Sequence, residues 1–411
     1  MFEKKLADTI CVSKSGDILN SPVKVGNVTI NNRIVIQPME GCDGTKSGAP
    51  DELTNRRYNR FAESGAGIIW FEAVAVEERG RSNPRQLWLT EENKDHYKRL
   101  IFDIKSRALS TTGVLPVLIM QATHSGRYSK PKGVPEPIIA CNNPIIEMDK
   151  PLSPDRIITD DGIKRIEESY AEAVKLAEEV GFDGIDIKCC HGYLNNELLS
   201  AYTRKGEYGG SYENRTRFFR NCVNIAKSYT NSDFIITSRL NIYDHIPYPY
   251  GWGMNKEDVN PDLSEPLRLI EDINLDLLNI TMGNPYYNPQ VNRPVDMSAV
   301  KRMFELTKRV QDAFPEKKII LSAVTYLREN AGYYAAKAIE EGYCTMAGFG
   351  RMSIAYPKFA QDMLNGGLDS RKVCITCGKC TELMRCGSVT GCVIRDKYYT
   401  DLYKEVMTRC V

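Results

Sequence analysis

The C-terminal part of the sequence carries a dense group of cysteines, CITCGKCTELMRCGSVTGC. Four of them follow the spacing Cys374-x2-Cys377-x2-Cys380-x11-Cys392. Three thiolates on one tight loop with a fourth farther along are typical of a cubane iron–sulfur cluster, whereas C-x2-C pairs also suit tetrahedral zinc. The spacing therefore predicts a metal centre on these four side chains. The fifth cysteine, Cys386, either replaces Cys380 or Cys392 as a ligand or is simply buried.

A second pattern that could do chemistry is Lys188-x-x-His191-x-Tyr193, directly after the apolar run GIDIK. Residues three apart just beyond a strand can converge on one oxygen, so Lys188 and His191 form a candidate clamp. A cation at that position stabilises the negative charge that develops on an enolate-like oxygen. The alternative is a salt bridge between Lys188 and Glu72, because buried lysines pair with carboxylates more often than they do chemistry.

The elements that carry these residues alternate regularly between short apolar runs and amphipathic helical stretches. Near-continuous apolar strands covered by helices indicate a parallel sheet that is buried on both faces. Eight such units over about 330 residues predict a (β/α)8 TIM barrel of the α/β class, followed by a short cysteine-rich segment. The predicted strands are RIVIQ (33–37), GIIWFE (67–72), LPVLIMQ (115–121), GIDIK (184–188), FIITSR (234–239), LLNIT (277–281), KIILSA (318–323) and CTMAGFG (344–350).

Two further features refine this architecture. The segment VKVGNVTINN (23–32) is typical of a β-hairpin with a Gly-Asn turn, and we expect it to plug the barrel floor. No G-x-G-x-x-G motif follows a strand, so the sequence gives no sign of a dinucleotide-binding domain. In TIM barrels the chemistry lies where strands end and loops begin. Those positions are residues 37–40, 72–73, 121, 124–127, 188–193, 239, 322–325 and 348–351.

Composition excludes several classes of protein. The 411 residues are 42% hydrophobic and 26% charged, which is typical of a globular chain with an ample core. Lys+Arg 54 against Asp+Glu 53 leaves a formal charge of +1, and the missing basic excess disfavours a nucleic-acid binder. No run of apolar residues is long enough to span a membrane, and the N-terminus lacks the apolar core of a signal peptide. Thirteen cysteines without an export signal favour bound or reactive thiols and a cytoplasmic protein.

Several motifs together resemble the Old Yellow Enzyme superfamily of FMN-dependent oxidoreductases. The most specific is HGYLNNELLSAYTRKGEYGGSYENRTRF (191–218), and the resemblance spans about residues 20–365. NNRIVIQPM, QATHSGRY, GFGR and IAYP add independent matches in the expected order. With the cysteine group, the chain is most similar to the iron–sulfur branch typified by 2,4-dienoyl-CoA reductase and trimethylamine dehydrogenase.

The resemblance implies an FMN site on the barrel rim. Backbone groups of two loops would hold its phosphate, although glycine is usual where this chain has Ser322-Ala323-Val324-Thr325, and Val324 accepts neither close approach nor a positive φ cheaply. Glu40 replaces the cysteine that bonds flavin in the amine-dehydrogenase branch, so we expect non-covalent FMN. The implied contacts are Pro38, Met39 and Ala73 at the ring system, Gln121 at the pyrimidine edge, Arg239 beside N1 and O2, and Ala323, Val324, Gly350 and Arg351 at the phosphate.

The resemblance also implies the catalytic roles. Tyr193 would donate a proton to the substrate α-carbon, while Lys188 and His191 would hold its carbonyl oxygen. The dienoyl-CoA branch has a further histidine after strand 6, where this chain has TMGNPYY, so Tyr286 or Tyr287 would line the pocket instead. The implied activity is reduction of an α,β-unsaturated carbonyl compound by hydride from FMN. Alternatives are an amine dehydrogenase or demethylase, which Lys188 disfavours by repelling a cationic substrate, and an RNA-modifying flavin barrel.

The cysteine segment implies how electrons arrive. We expect an FMN-binding barrel over residues 1–370 and a 4Fe–4S segment over 371–411 that packs on it, with Cys374, Cys377, Cys380 and Cys392 as ligands. Relatives continue into nucleotide-binding domains that the sequence does not contain. We therefore expect an external electron donor, whether NAD(P)H, ferredoxin or another flavoprotein, a small-molecule substrate, and an arrangement that is either monomeric or homo-oligomeric.

Overall fold

The computed structural model describes residues 17–410 and shows a closed barrel of eight parallel strands. The strands lie side by side in chain order, and the eighth pairs with the first to close the barrel. The N-terminal segment with Cys11, and the terminal Val411, lie outside the described residues. The predicted TIM barrel is confirmed, with every strand within a few residues of its expected position. The barrel strands are β3 (Ile34–Ile36), β4 (Ile68–Ala75), β5 (Val117–Thr123), β6 (Gly184–Ile187), β7 (Ile235–Asn241), β8 (Leu277–Thr281), β9 (Lys318–Leu321) and β10 (Met346–Phe349).

Helices follow every barrel strand and cover the outside of the sheet. None of them within residues 17–410 is both long and apolar enough to cross a membrane. They are α1 (Glu52–Ala62), α2 (Lys94–Thr112), α3 (Pro144–Glu147), α4 (Asp160–Glu179), α5 (Leu194–Leu199), α6 (Tyr212–Tyr229), α7 (Ser264–Ile273), α8 (Pro289–Asn292), α9 (Met297–Ala313), α10 (Ala331–Glu340), α11 (Arg351–Ala355), α12 (Phe359–Leu364), α13 (Lys379–Arg385) and α14 (Lys397–Met407). Short 3-10 turns lie at Glu78–Gly80, Gly126–Tyr128, Pro154–Arg156 and Val324–Asn330.

The predicted hairpin is present and closes the N-terminal end of the barrel. Strands β1 (Val23–Val25) and β2 (Val28–Ile30) pair antiparallel around a turn in which Gly26 has a φ of 54°, a left-handed conformation that glycine adopts at little cost. Their buried side chains pack with Trp70 and Met346 from inside the barrel. Apolar side chains thus fill the barrel floor, and the opposite rim is left for polar groups.

The cysteine-rich segment folds back onto the barrel. Arg56 and Arg60 of α1 both form ion pairs with the buried Asp396, at the N-cap of α14. The backbone N–H of Thr390 donates to the carbonyl of Gly41, in the loop after β3, at 2.8 Å. The segment has its own small core of Leu383, Val389, Val393 and Tyr399. Its cysteines are therefore held against the barrel wall.

Cys386 has a partner that the sequence did not reveal. It forms a disulfide with Cys410, twenty-four residues later. This bond joins the C-cap of α13 to the end of α14, two helices that pack against each other. The expectation that Cys386 replaces a ligand or lies buried alone is therefore wrong in this structure.

A buried ion network links α1 to the loop after β3 and to strand β4. Arg57 Nη2 lies 2.7 Å from Asp43 Oδ1 and 2.7 Å from Glu72 Oε1, and all three side chains are buried. Glu72 also accepts a hydrogen bond from the backbone N–H of Gly41. Burial raises the pKa of Glu72 to about 7, although the charge of Arg57 opposes the shift. One guanidinium therefore compensates two buried carboxylates.

Replacing Arg57 by methionine should be strongly destabilising, because it leaves both carboxylates buried without their cation. We expect Arg57→Met to lower the free energy of unfolding by about 3–5 kcal/mol at pH 8, measured by guanidinium unfolding. The loss should shrink at pH 6. Arg57 lowers the pKa of the buried Glu72, so without Arg57 this pKa is higher still, and protonation on acidification stabilises the folded variant more than the unmodified protein.

The matched control is the neighbouring Arg56→Met. Arg56 is 38% exposed in its ion pair with Asp396, so its loss should cost about 1 kcal/mol or less. Equal losses in the two variants would contradict the account of the buried network.

Candidate active site

The rim of the barrel at the carboxyl ends of the strands gathers most of the residues that the sequence predicted. Gln121 lies near the end of β5 and Arg239 near the end of β7, and both side chains are buried. Pro38 and Met39 follow β3, and Lys188 follows β6. Ala73 lies in β4, and its carbonyl accepts a hydrogen bond from Gln86 Nε2 at 3.0 Å. These side chains therefore share one mouth.

A carboxylate that the sequence did not single out organises this mouth. Asp186, in β6, is fully buried and accepts three hydrogen bonds, from Trp70 Nε1 at 2.9 Å, Gln121 Nε2 at 2.6 Å and the backbone N–H of Arg239 at 2.7 Å. Burial raises the pKa of Asp186 to about 6, and these hydrogen bonds oppose the rise. The signal was present as the single acidic residue in an otherwise apolar strand, GIDI.

Two cations at the mouth are buried without a carboxylate partner. Neither the ammonium of Lys188 nor the guanidinium of Arg239 has an ion pair or hydrogen bond within residues 17–410, and Arg239 Nε is a buried, unpartnered donor. Burial lowers the pKa of both groups. A buried charge without a partner is costly, so this site suits a ligand that brings negative charge. The two side chains could hold an anionic group of a cofactor or of a substrate.

The alternative reading of Lys188 as a salt-bridge partner of Glu72 is wrong. Glu72 is instead paired with Arg57, as described above. Lys188 Nζ lies 3.9 Å from the centre of the Tyr193 ring. Contact with an aromatic face supports a cation without neutralising it. Lys188 therefore keeps its charge available to the mouth.

His191 lies beside Lys188 in a strained conformation. Its φ is 69°, a left-handed value that side chains other than glycine rarely adopt. Burial, followed by the charges of Arg239 and Lys188, lowers the pKa of His191 well below its usual range, so the ring is neutral. Its Nε2 lies 3.2 Å from Asn292 Nδ2. The contact favours the tautomer with the proton on Nδ1, because an amide nitrogen only donates, and Asn292 Nδ2 also lies within hydrogen-bond distance of Thr281 Oγ1 and the Met282 carbonyl.

Tyr193 is buried and keeps its proton. Burial raises its pKa well above the usual range, and the charges of Tyr286 and Glu40 act in the same direction. Its hydroxyl lies 3.1 Å from the hydroxyl of Tyr286, whose ring stacks on Tyr128 at 3.8 Å. The phenol therefore carries a proton at neutral pH, and its ring contacts the ammonium of Lys188. Tyr287, the other residue proposed from the sequence, has no such contact with Tyr193 within the described part of the chain.

The loop after β9 takes up a left-handed conformation without straining Val324. Ala323, rather than Val324, has the positive φ, at 72°, and a 3-10 turn begins at Val324. The hydroxyl oxygen of Thr325 is buried without a partner. Gly350 and Arg351 begin α11 on the neighbouring strand end. The backbone donors and the unpartnered hydroxyl fit a phosphate group.

The four predicted cysteine ligands come together. Cys374, Cys377, Cys380 and Cys392 line one cavity of about 370 Å³, open to solvent, and Arg351 reaches it from the barrel rim. Within residues 17–410, no three His, Cys, Asp or Glu side chains converge on a position for a single metal ion. All four thiols are free of disulfides. Four thiols around a shared space fit the donor set of an iron–sulfur cluster.

Comparison with known proteins agrees with this geometry. Residues 19–368 match the NADH:flavin oxidoreductase / NADH oxidase family. The chain is 27% identical over 369 residues to an NADH oxidase of Thermoanaerobacter brockii, covering 87% of this chain and 52% of that protein. An NADPH dehydrogenase of Geobacillus sp. (strain WCH70) is 30% identical over 244 residues, 56% of this chain and 68% of that protein.

Among solved structures, a 2-naphthoyl-CoA reductase bound to 2-naphthoyl-CoA superposes with a TM-score of 0.79 at 21% identity, over 94% of this chain and 58% of that one. The chain therefore spans little more than half the length of the NADH oxidase and of this reductase. The match over residues 19–368 and the barrel geometry together place the chain in the NADH:flavin oxidoreductase / NADH oxidase family, the flavin-dependent Old Yellow Enzyme superfamily.

Proposed function

We propose that this flavin-dependent oxidoreductase reduces the C=C bond of α,β-unsaturated carbonyl compounds. The observation that carries the proposal is the pair of buried, unpaired cations, Lys188 and Arg239, beside the protonated phenol of Tyr193. Such a site stabilises negative charge at an oxygen and supplies a proton nearby. Reduction of an enone requires both at once.

FMN would occupy the mouth of the barrel, where it supplies the hydride that adds to the substrate β-carbon. Pro38, Met39 and Ala73 would contact its ring system. Gln121 has its Nε2 committed to Asp186, which leaves Oε1 to accept from the pyrimidine edge. Arg239 would face N1 and O2. The phosphate would lie on the loops that contain Ala323, Val324, Gly350 and Arg351.

The residues of the chain itself would handle the oxygen and the proton. Lys188 and the Nδ1–H of His191 would donate hydrogen bonds to the substrate carbonyl oxygen. Tyr193 would then give its hydroxyl proton to the α-carbon. Hydride at the β-carbon and a proton at the α-carbon together saturate the double bond, so the net change is a two-electron, two-proton reduction.

The cysteine segment would carry electrons to this site. In this proposal residues 1–370 form the FMN-binding barrel and residues 371–411 the 4Fe–4S segment, with Cys374, Cys377, Cys380 and Cys392 as ligands. Support comes from the shared cavity of the four thiols and from Arg351, which reaches that cavity from the rim. The electron donor would be NAD(P)H, ferredoxin or another flavoprotein.

An amine dehydrogenase is the second candidate, and one observation favours it. Glu40 is a half-buried carboxylate whose charge acts on both Tyr193 and Tyr286, so aromatic rings and an acid lie together as an ammonium site requires. Lys188 in the same mouth opposes a cationic substrate. Reduction of the resting enzyme by tertiary amines, without reoxidation by any enone, would favour this second candidate.

The cofactor content is the first test of the proposal. Protein purified without oxygen should release about one FMN per chain on acid precipitation, because Glu40 offers no thiol to bond it. It should also contain about four iron and four sulfide per chain. Absorption spectra of the supernatant and colorimetric iron and sulfide assays measure these quantities.

The double variant Cys374→Ser/Cys377→Ser should lose the iron and sulfide and keep the flavin, since the barrel rim is a separate site. Stoichiometric zinc with no sulfide would contradict the cluster. Flavin that stays in the protein pellet would contradict non-covalent binding.

Two substitutions separate protonation from polarisation. Tyr193→Phe should still be reduced, but its oxidation by an enone in stopped flow should slow by roughly 10²-fold or more, the usual effect of losing a general acid. Lys188→Met should instead weaken binding of phenolate ligands, because the anion loses its charged partner.

Lys188→Arg is the matched control, since it keeps the charge and should retain most of the phenolate affinity. Oxidation of Tyr193→Phe at the rate of the unmodified enzyme would show that another acid protonates the substrate. Unchanged phenolate affinity in Lys188→Met would remove Lys188 from the oxygen site.

A further inference from the structure

The hydroxyl of Tyr193 has a single polar neighbour. Tyr193 is 3% exposed, and within residues 17–410 its hydroxyl bonds only to the hydroxyl of Tyr286, at 3.1 Å. Tyr286 is 46% exposed. A pair of phenols therefore leads from the buried site toward the surface, from a sealed residue to one that is partly exposed.

Three contacts hold the outer phenol in place. Its ring stacks on Tyr128 with 15° between the planes. Asn284 Oδ1 accepts the backbone N–H of Tyr286 at 2.9 Å, while Asn284 Nδ2 donates to the Tyr128 hydroxyl at 2.9 Å. A Cβ on Gly192 would lie 2.2 Å from Asn284 Nδ2, so this glycine leaves the space that Asn284 occupies. The hydroxyl contact is thus built into the loop after β8.

Repeated turnover creates a need that this pair can meet. If Tyr193 protonates the substrate, as the proposed function states, each cycle leaves a buried phenolate that must regain a proton. We propose that Tyr286 is the relay that carries protons from solvent to Tyr193. The Tyr286 O–H bond breaks as its proton passes along the hydrogen bond to the Tyr193 oxygen, and the Tyr286 oxygen then takes a proton from water.

The electrostatics favour movement in that direction. Burial raises the pKa of both phenols, so neither remains a phenolate at neutral pH. Their mutual hydrogen bond raises the pKa of Tyr193 and lowers that of Tyr286. Negative charge therefore rests more easily on the oxygen of Tyr286, the more exposed residue of the pair. Tyr286 acts through Tyr193 and is a positioning residue for the reaction.

The test measures exchange of the Tyr193 hydroxyl proton in the flavin-loaded resting enzyme, without turnover. 13C NMR spectra of protein labelled at tyrosine Cζ are recorded in mixed H2O and D2O. The signal that is missing from the spectrum of Tyr193→Phe is assigned to Tyr193. Tyr286→Phe, which keeps the stacked ring, should slow exchange at Tyr193 by at least about 10-fold. Tyr287→Phe is the matched control: Tyr287 is 42% exposed and does not contact Tyr193, so exchange should be unchanged.

Kinetics give a second readout. In Tyr286→Phe, the rate of the first oxidation of pre-reduced enzyme by an enone should stay within about 2-fold of the rate in the unmodified enzyme, because Tyr193 already holds its proton. The rate of multiple turnover should fall by about 10-fold or more. Exchange at Tyr193 that is as fast in Tyr286→Phe as in the unmodified enzyme would overturn the relay. Failure of the proposed function gives a different result, normal enone oxidation in Tyr193→Phe, and leaves the exchange measurement interpretable.

Discussion

The buried carboxylate of Asp186 is the constraint on which the barrel mouth depends. It lies in β6 and accepts hydrogen bonds from groups on β4, β5 and β7, so it links four consecutive strands at the level where the site begins. A buried carboxylate is costly unless it accepts hydrogen bonds, and Asp186 accepts three. Asp186 thereby fixes the amide of Gln121 and the backbone of Arg239 in one relative position.

Buried cations in this barrel fall into two kinds. Arg57 is neutralised by Asp43 and Glu72, and it holds the loop after β3 and strand β4 against α1. Lys188 and Arg239 lie within the same fold without any such partner in residues 17–410. The first arrangement stabilises the chain. The second leaves two cations without an ion pair at the barrel rim, where we propose that a flavin and a substrate oxygen bring negative charge.

Much of the fold could be predicted from the sequence, because the spacing and type of apolar residues indicate directly which side chains are buried. All eight strands, the hairpin turn at Gly26 and the position of four cysteines around one cavity follow from local patterns. The predicted rim residues share one mouth for the same reason, since each lies at a strand end. Their assigned contacts with FMN and substrate remain predictions.

What escaped prediction depends on pairing across the structure. The sequence shows one acidic residue in an apolar strand but not the three donors from other strands that bond to it, so Asp186 was missed. The partner of Glu72 is Arg57, fifteen residues away on α1, and no pattern distinguished it from Lys188. The loop after β9 avoids the difficulty foreseen for Val324, because its positive φ falls at Ala323. Cys386 and Cys410 meet through the packing of two helices.

The central claim is that the unpaired cations of the mouth stabilise negative charge on the bound ligand. The midpoint potential of the bound flavin in Arg239→Met tests this claim most directly. Reduction adds negative charge beside Arg239, so its loss should make the potential more negative by at least about 30 mV, which corresponds to about 1.4 kcal/mol for a two-electron couple. An Arg239→Lys variant should recover part of the shift. Flavin that binds Arg239→Met with an unchanged potential would contradict the account.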